Sequence, residues 1–129
     1  MRPDLSGEYR LDRDASALST NAAAFTTASL RIDHVEPRFH CTARFATVDD
    51  ALEFTFERFS DGRVVAVGTN ETSRCFWDNA VLVTEDRTDG PDASVMTWRY
   101  ELTDGGLRAT ECIRGAGRDQ DNMWEFTRV

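Results

Sequence analysis

Apolar and polar residues alternate one for one along most of this chain. Leu5, Gly7, Tyr9 and Leu11 are set against Ser6, Glu8 and Arg10, so the two groups fall on opposite faces of an extended strand. Phe39, Cys41, Ala43 and Phe45 alternate with Arg38, His40, Thr42 and Arg44. Leu52, Phe54 and Phe56 oppose Glu53, Thr55 and Glu57, and Met96, Trp98, Tyr100 and Leu102 oppose Val95, Thr97, Arg99 and Glu101. The pattern predicts strands over 5–11, 28–35, 38–45, 51–59, 63–67, 71–77, 81–86, 93–102, 107–114 and 122–129. Short turn signals separate most of them. Asp61-Gly62 predicts a hairpin between 51–59 and 63–67, and Asp104-Gly105-Gly106 a second one. The alanine-rich stretch 17–27 has room for one short helix or an irregular lid, and no 3.6-residue period runs for any useful length.

Hairpin-short connections favour a meander over a Greek-key sandwich, although strand count alone leaves a two-sheet sandwich open. The expected fold is all-β: one antiparallel up-and-down β-barrel of about 8–10 strands spanning 1–129, with a short helix or lid after the first strand. A strand at each end of the chain predicts that the two meet and close the barrel.

Composition narrows the partners. The net charge is −8, and all 15 basic residues are arginine. An acidic surface repels phosphate backbones and anionic bilayers, so neither nucleic acid nor membrane is an expected partner. The start, Met1-Arg2-Pro3-Asp4, runs into the first strand with no apolar signal region, which predicts a cytoplasmic protein. Cys41, Cys75 and Cys112 are odd in number and irregular in spacing, and read as free thiols.

The opening segment Leu5-Ser6-Gly7-Glu8-Tyr9-Arg10-Leu11 resembles the G-x-W strand of lipocalins and fatty-acid-binding proteins, the calycin group. The layout of the chain is similar to that of bacterial lipocalin-like proteins of unassigned function. It shares with them an aspartate-rich turn at 12–16, a strand like Ala28-Ser29-Leu30-Arg31-Ile32, a hairpin around Asp78-Asn79-Ala80 and a segment like Tyr100-Glu101-Leu102-Thr103-Asp104-Gly105-Gly106-Leu107. The resemblance implies that Arg128 packs across the aromatic ring of the first strand and bonds backbone near the chain start. Here Tyr9 stands where the family usually has tryptophan.

Polar residues on otherwise apolar faces carry the chemistry, because burying them unpaired is costly. Glu111 lies between Ala109 and Ile113, His34 follows Leu30 and Ile32, and Arg58 follows Leu52, Phe54 and Phe56. With Phe54, Phe56, Trp98, Tyr100 and Trp124 they form the candidate ligand site, the aromatics supplying contact area and the three polar groups orienting a head group. Each aromatic, with Trp77, Met96 and Phe126, serves equally as plain core. His34 and Arg58, at strand ends, have solvent as their alternative.

No G-x-S-x-G elbow, H-E-x-x-H pair, phosphate-binding glycine loop or calcium-loop spacing is present, so no catalytic residue, metal ligand or cofactor is expected. The leading expectation is a protein that binds a small, largely apolar ligand inside the barrel. The alternatives are a small isomerase, cyclase or hydratase using Glu111 or His34, and a filled barrel that self-associates through Phe59, Phe76 and Val95, for which a homodimer is allowed.

Overall fold

The computed structural model describes residues 2–129. Ten strands follow in chain order: β1 (Gly7–Leu11), β2 (Thr27–Val35), β3 (Arg38–Ala46), β4 (Ala51–Phe59), β5 (Val65–Gly68), β6 (Glu71–Asp78), β7 (Val81–Thr88), β8 (Ser94–Thr103), β9 (Gly106–Gly115) and β10 (Gln120–Arg128). They form one antiparallel sheet in the order β4-β3-β2-β1-β10-β9-β8-β7-β6-β5, which curls into a half-barrel. No helix among the described residues is long and apolar enough to cross a membrane.

The chain ends meet as expected. β1 pairs with β10 through Tyr9↔Arg128 and Leu11↔Phe126, which puts the junction of the two termini in the middle of the sheet. The seam lies instead between the edge strands β4 and β5. The hairpin expected at Asp61-Gly62 does not form, and these two strands share no ladder. Competing bonds explain the difference. Gly62 donates its N–H to the carbonyl of Cys75 on β6 (2.9 Å), and Ser60 donates its own to the carbonyl of Pro37 (2.9 Å). The turn is thus drawn toward β6 and the β2–β3 connection, and the chain crosses the barrel end rather than doubling back.

β1 begins two residues later than the alternation predicts. The side chain of Ser6 accepts the His34 N–H (2.8 Å) and donates to its carbonyl (3.1 Å), while His34 Nδ1 accepts the Leu5 N–H (3.0 Å). Side-chain bonds replace a ladder there and satisfy the same backbone groups.

The segment after β1 is an irregular lid with a single 3₁₀ turn, Ala22–Ala24. It is stitched to β10: Ala17 and Met123 exchange backbone bonds at 2.9 and 2.8 Å, and the Ser19 N–H reaches Asn122 Oδ1 at 2.6 Å. Phe25 follows the turn and packs on Phe45 and Trp124, with ring centres 5.4 and 6.4 Å away.

The far end of the barrel is sealed. Tyr9 is wholly buried, with the Arg128 guanidinium 5.0 Å over its ring. Arg128 donates to the Ser6 carbonyl (3.1 Å) and to the Tyr9 hydroxyl (3.1 Å), which donates in turn to the Leu5 carbonyl (2.8 Å). A cation over an aromatic face adds about 1 kcal/mol. Gly7 makes the crossing feasible, since a Cβ there would stand 2.5 Å from Arg128 Nη1 and 3.3 Å from the Tyr9 ring.

Candidate functional site

Curling the sheet under the lid leaves a cavity of about 440 Å³, inside the range of roughly 300–1,000 Å³ common for small-molecule sites. Strand register orders its wall. Thr84, Trp98, Glu111 and Asn122 are successive cross-strand partners on β7, β8, β9 and β10 and form one row. The row nearer the sealed end is Leu82, Tyr100, Ala109 and Trp124, and the row beyond is Asp86, Met96, Ile113 and Gln120. Phe45, Phe54 and Phe56 line the opposite wall from β3 and β4.

Of the residues singled out from sequence, Phe54, Phe56, Arg58, Trp98, Tyr100, Glu111 and Trp124 line this cavity. His34 does not. It is buried at the sealed end, where Nδ1 accepts the Leu5 N–H and Nε2 lies 3.0 Å from Glu36 Oε1. A ring nitrogen that accepts a backbone N–H leaves the proton on the other, so neutral His34 donates through Nε2 to Glu36. Trp77 also stands outside the lining and donates Nε1–H to Glu36 Oε1 at 2.9 Å. Glu36 further accepts from Ser60 (2.7 and 2.9 Å) and Arg2 (3.1 Å). Burial raises its pKa, but the bonds from His34, Ser60, Trp77 and Arg2 outweigh that and hold it at about 2.

Glu111 sits in the opposite situation, mid-strand on the cavity wall. Its Oε1 accepts from Asn122 Nδ2 (2.9 Å) and, at 3.5 Å, from Trp124 Nε1. Burial raises its pKa against these two bonds. Asn122 also holds the lid through the Ser19 N–H, so one amide joins lid and carboxylate.

Arg58 is occupied by the protein. Nε donates to Ser73 (2.8 Å), Nη1 to the Glu57 carbonyl (2.9 Å), and Nη2 lies 3.8 Å from Asp86 Oδ1. That Asp86 oxygen is buried without a hydrogen-bond partner.

Sequence reasoning passed over Asp86, Thr84, Asn122 and Phe25. Thr84 and Asp86 follow Leu82 at period 2, so the alternation carried a signal for them. Phe25 comes from the lid, and no local pattern announces where a lid closes. Nucleophilic chemistry finds no support in the thiols, since burial pushes Cys41 and Cys75 up to about 12. Among the described residues no three His, Cys, Asp or Glu side chains converge to hold a metal ion.

No family model matches the chain, and no curated protein matches it. Solved structures do. The REP1-NXSQ fatty acid transporter superposes with a TM-score of 0.61 at 15% identity, over 97% of this chain and 96% of that one. Apo lipid binding protein 8 of Caenorhabditis elegans superposes with a TM-score of 0.66 at 13% identity, over 96% and 94%. At such identities the likeness is one of fold: this all-β, ten-stranded chain shares the fold of these two proteins.

Proposed function

We propose that this chain binds and carries a small, largely apolar molecule inside its barrel, the whole of 1–129 acting as one unit. The observation that carries the reading is the cavity of about 440 Å³, walled by Phe45, Phe54, Phe56, Trp98 and Trp124 and roofed by a lid stitched to β10. Aromatic walls supply apolar contact area, and space of this size distinguishes the interior from a packed core. The fold shared with a fatty acid transporter and a lipid binding protein supports the same reading. Three free cysteines, two of them buried, fit a reducing compartment such as the cytoplasm.

Carriage is favoured over catalysis because the imidazole that would serve Glu111 as acid–base partner stands outside the cavity: both ring nitrogens of His34 are engaged at the sealed end. Mass spectrometry of gently purified protein under native and denaturing conditions tests the proposal. A reproducible added mass that disappears on denaturation, or saturable binding of an apolar, polarity-sensitive dye, is the expected result. Neither signal would leave the cavity without a ligand role.

One observation favours a second reading. Leu52 and Val65, on the two strands that flank the seam, are 57% and 52% exposed, which suits self-association across the seam. A concentration-dependent shift in size-exclusion elution would support it, and a constant monomer elution would remove it.

A further inference from the structure

One row of the cavity wall, taken with the carrier reading on which this inference rests, specifies the head group of the ligand. Thr84, Trp98 and Glu111 are successive cross-strand partners on β7, β8 and β9, and all three line the cavity. Residues directly opposite in antiparallel strands share a face, with Cβ atoms roughly 4.5–5.5 Å apart. Trp98 therefore stands beside both of the others.

Each of the three keeps a polar atom that the protein does not use. Glu111 spends only Oε1, on Asn122 and Trp124. Its Oε2, the Trp98 indole N–H and the Thr84 hydroxyl make no hydrogen bond among the described residues. Among those residues the side-chain atoms closed off without a partner are Arg74 Nε and Asp86 Oδ1, so the three atoms of this row stay open to a molecule in the cavity. The row thus offers an acceptor at Glu111, a donor at Trp98 and a group that does either at Thr84. The cation in the lining, Arg58, is spent elsewhere: it donates to Ser73 and the Glu57 carbonyl and lies 3.8 Å from Asp86.

Head groups sort by what this row can satisfy. A carboxylate only accepts, and here it would lie against Glu111 with no free guanidinium to offset the charge. An ammonium only donates, and its three N–H groups would find too few free acceptors to offset the burial of a charge. A hydroxyl both donates and accepts, which matches the row without burying a further charge. It serves Glu111 in either protonation state, donating to the carboxylate or accepting from the carboxyl, and burial raises the pKa of that group.

We infer that the ligand is a neutral apolar alcohol, its hydroxyl bonded to Glu111 and to Trp98 or Thr84 while its hydrocarbon body fills the aromatic part of the cavity.

The test is displacement of an apolar dye at neutral pH by four probes of one chain length: dodecanol, its methyl ether, dodecanoate and dodecylammonium. Each is used below its aggregation concentration, in about 0.15 M salt to screen the net charge of −8. Dodecanol is expected to bind tightest, by at least about fivefold over each of the others. The ether carries one carbon more and cannot donate, so apolar burial alone would rank it above the alcohol. Glu111→Leu should bring the alcohol down to the level of the ether and leave the ether unchanged. An ether that binds as tightly as the alcohol overturns the inference and leaves the carrier reading intact, and so does a carboxylate or an ammonium that matches the alcohol. An alcohol preference that survives in folded Glu111→Leu overturns it too, because the hydroxyl is then read elsewhere. Failure of all four probes, the ether included, overturns the carrier reading and this inference with it. The ranking on the unaltered protein decides even if the variant does not fold.

Discussion

Two carboxylates, Glu36 in the turn between β2 and β3 and Glu111 in the middle of β9, mark the sealed end and the cavity wall of this molecule. Glu36 is gripped by His34, Ser60, Trp77 and Arg2 and is held as an anion down to about pH 2. Glu111 has two donors on one oxygen, and burial raises its pKa. At the sealed end polar groups spend their bonds on one another. At the cavity wall they keep bonds in reserve. The sealed end and the cavity wall are thus told apart by where the hydrogen bonds go, more than by burial alone.

The largest effect should come from breaking the seal. Tyr9→Ala removes a wholly buried ring together with its bonds to Leu5 and Arg128, and should cost about 3–5 kcal/mol in a denaturant titration. Next in size is Glu36→Gln, which weakens four partners at once and should cost about 1–3 kcal/mol at neutral pH. Its pH dependence sharpens the comparison. A carboxyl lowered from 4.5 to about 2 on folding stabilises the protein above pH 4.5, and that contribution is lost as the pH falls through about 2. Melting curves across that window should show the variant and the parent converging toward acid. If they stay parallel, Glu36 is not the group responsible.

Glu111→Gln should act with the opposite sign. A carboxyl raised by burial disfavours the folded state once ionised, so the amide should leave neutral-pH stability equal or higher, the difference shrinking below the ordinary carboxyl range. A clear loss of stability would show that the wall is as fully committed to the fold as the sealed end. The smallest stability effect belongs to the seam. Phe54 lines the cavity yet is 49% exposed, so Phe54→Ala should cost less than about 1 kcal/mol. It should still weaken binding of an apolar dye several-fold, read by titration.

Much of this architecture was legible in the residue pattern. The period-2 alternation located all ten strands, because a half-buried sheet demands apolar residues on one face only. The pairing of the terminal strands followed from strands at both ends and from the Tyr9 and Arg128 positions, and seven of the eight site residues proposed from faces line the cavity. His34 shows why the eighth does not. Its face was read as inward, and it is buried, but the Leu5 backbone and Glu36 reach it first.

What the sequence by itself determined is therefore the local alternation, the strand count and which side of each strand seeks the interior, since these depend on neighbours along the chain. Tertiary structure alone decided where the barrel fails to close, which residues of the lid reach the cavity and which buried polar atoms are left without partners. Asp61-Gly62 could turn a hairpin, yet the Cys75 carbonyl on β6 takes the Gly62 N–H and the Pro37 carbonyl, in the β2–β3 turn, takes that of Ser60. Hydrogen bonds are exclusive and their competitors are brought together only by the finished fold, so no local pattern records the outcome.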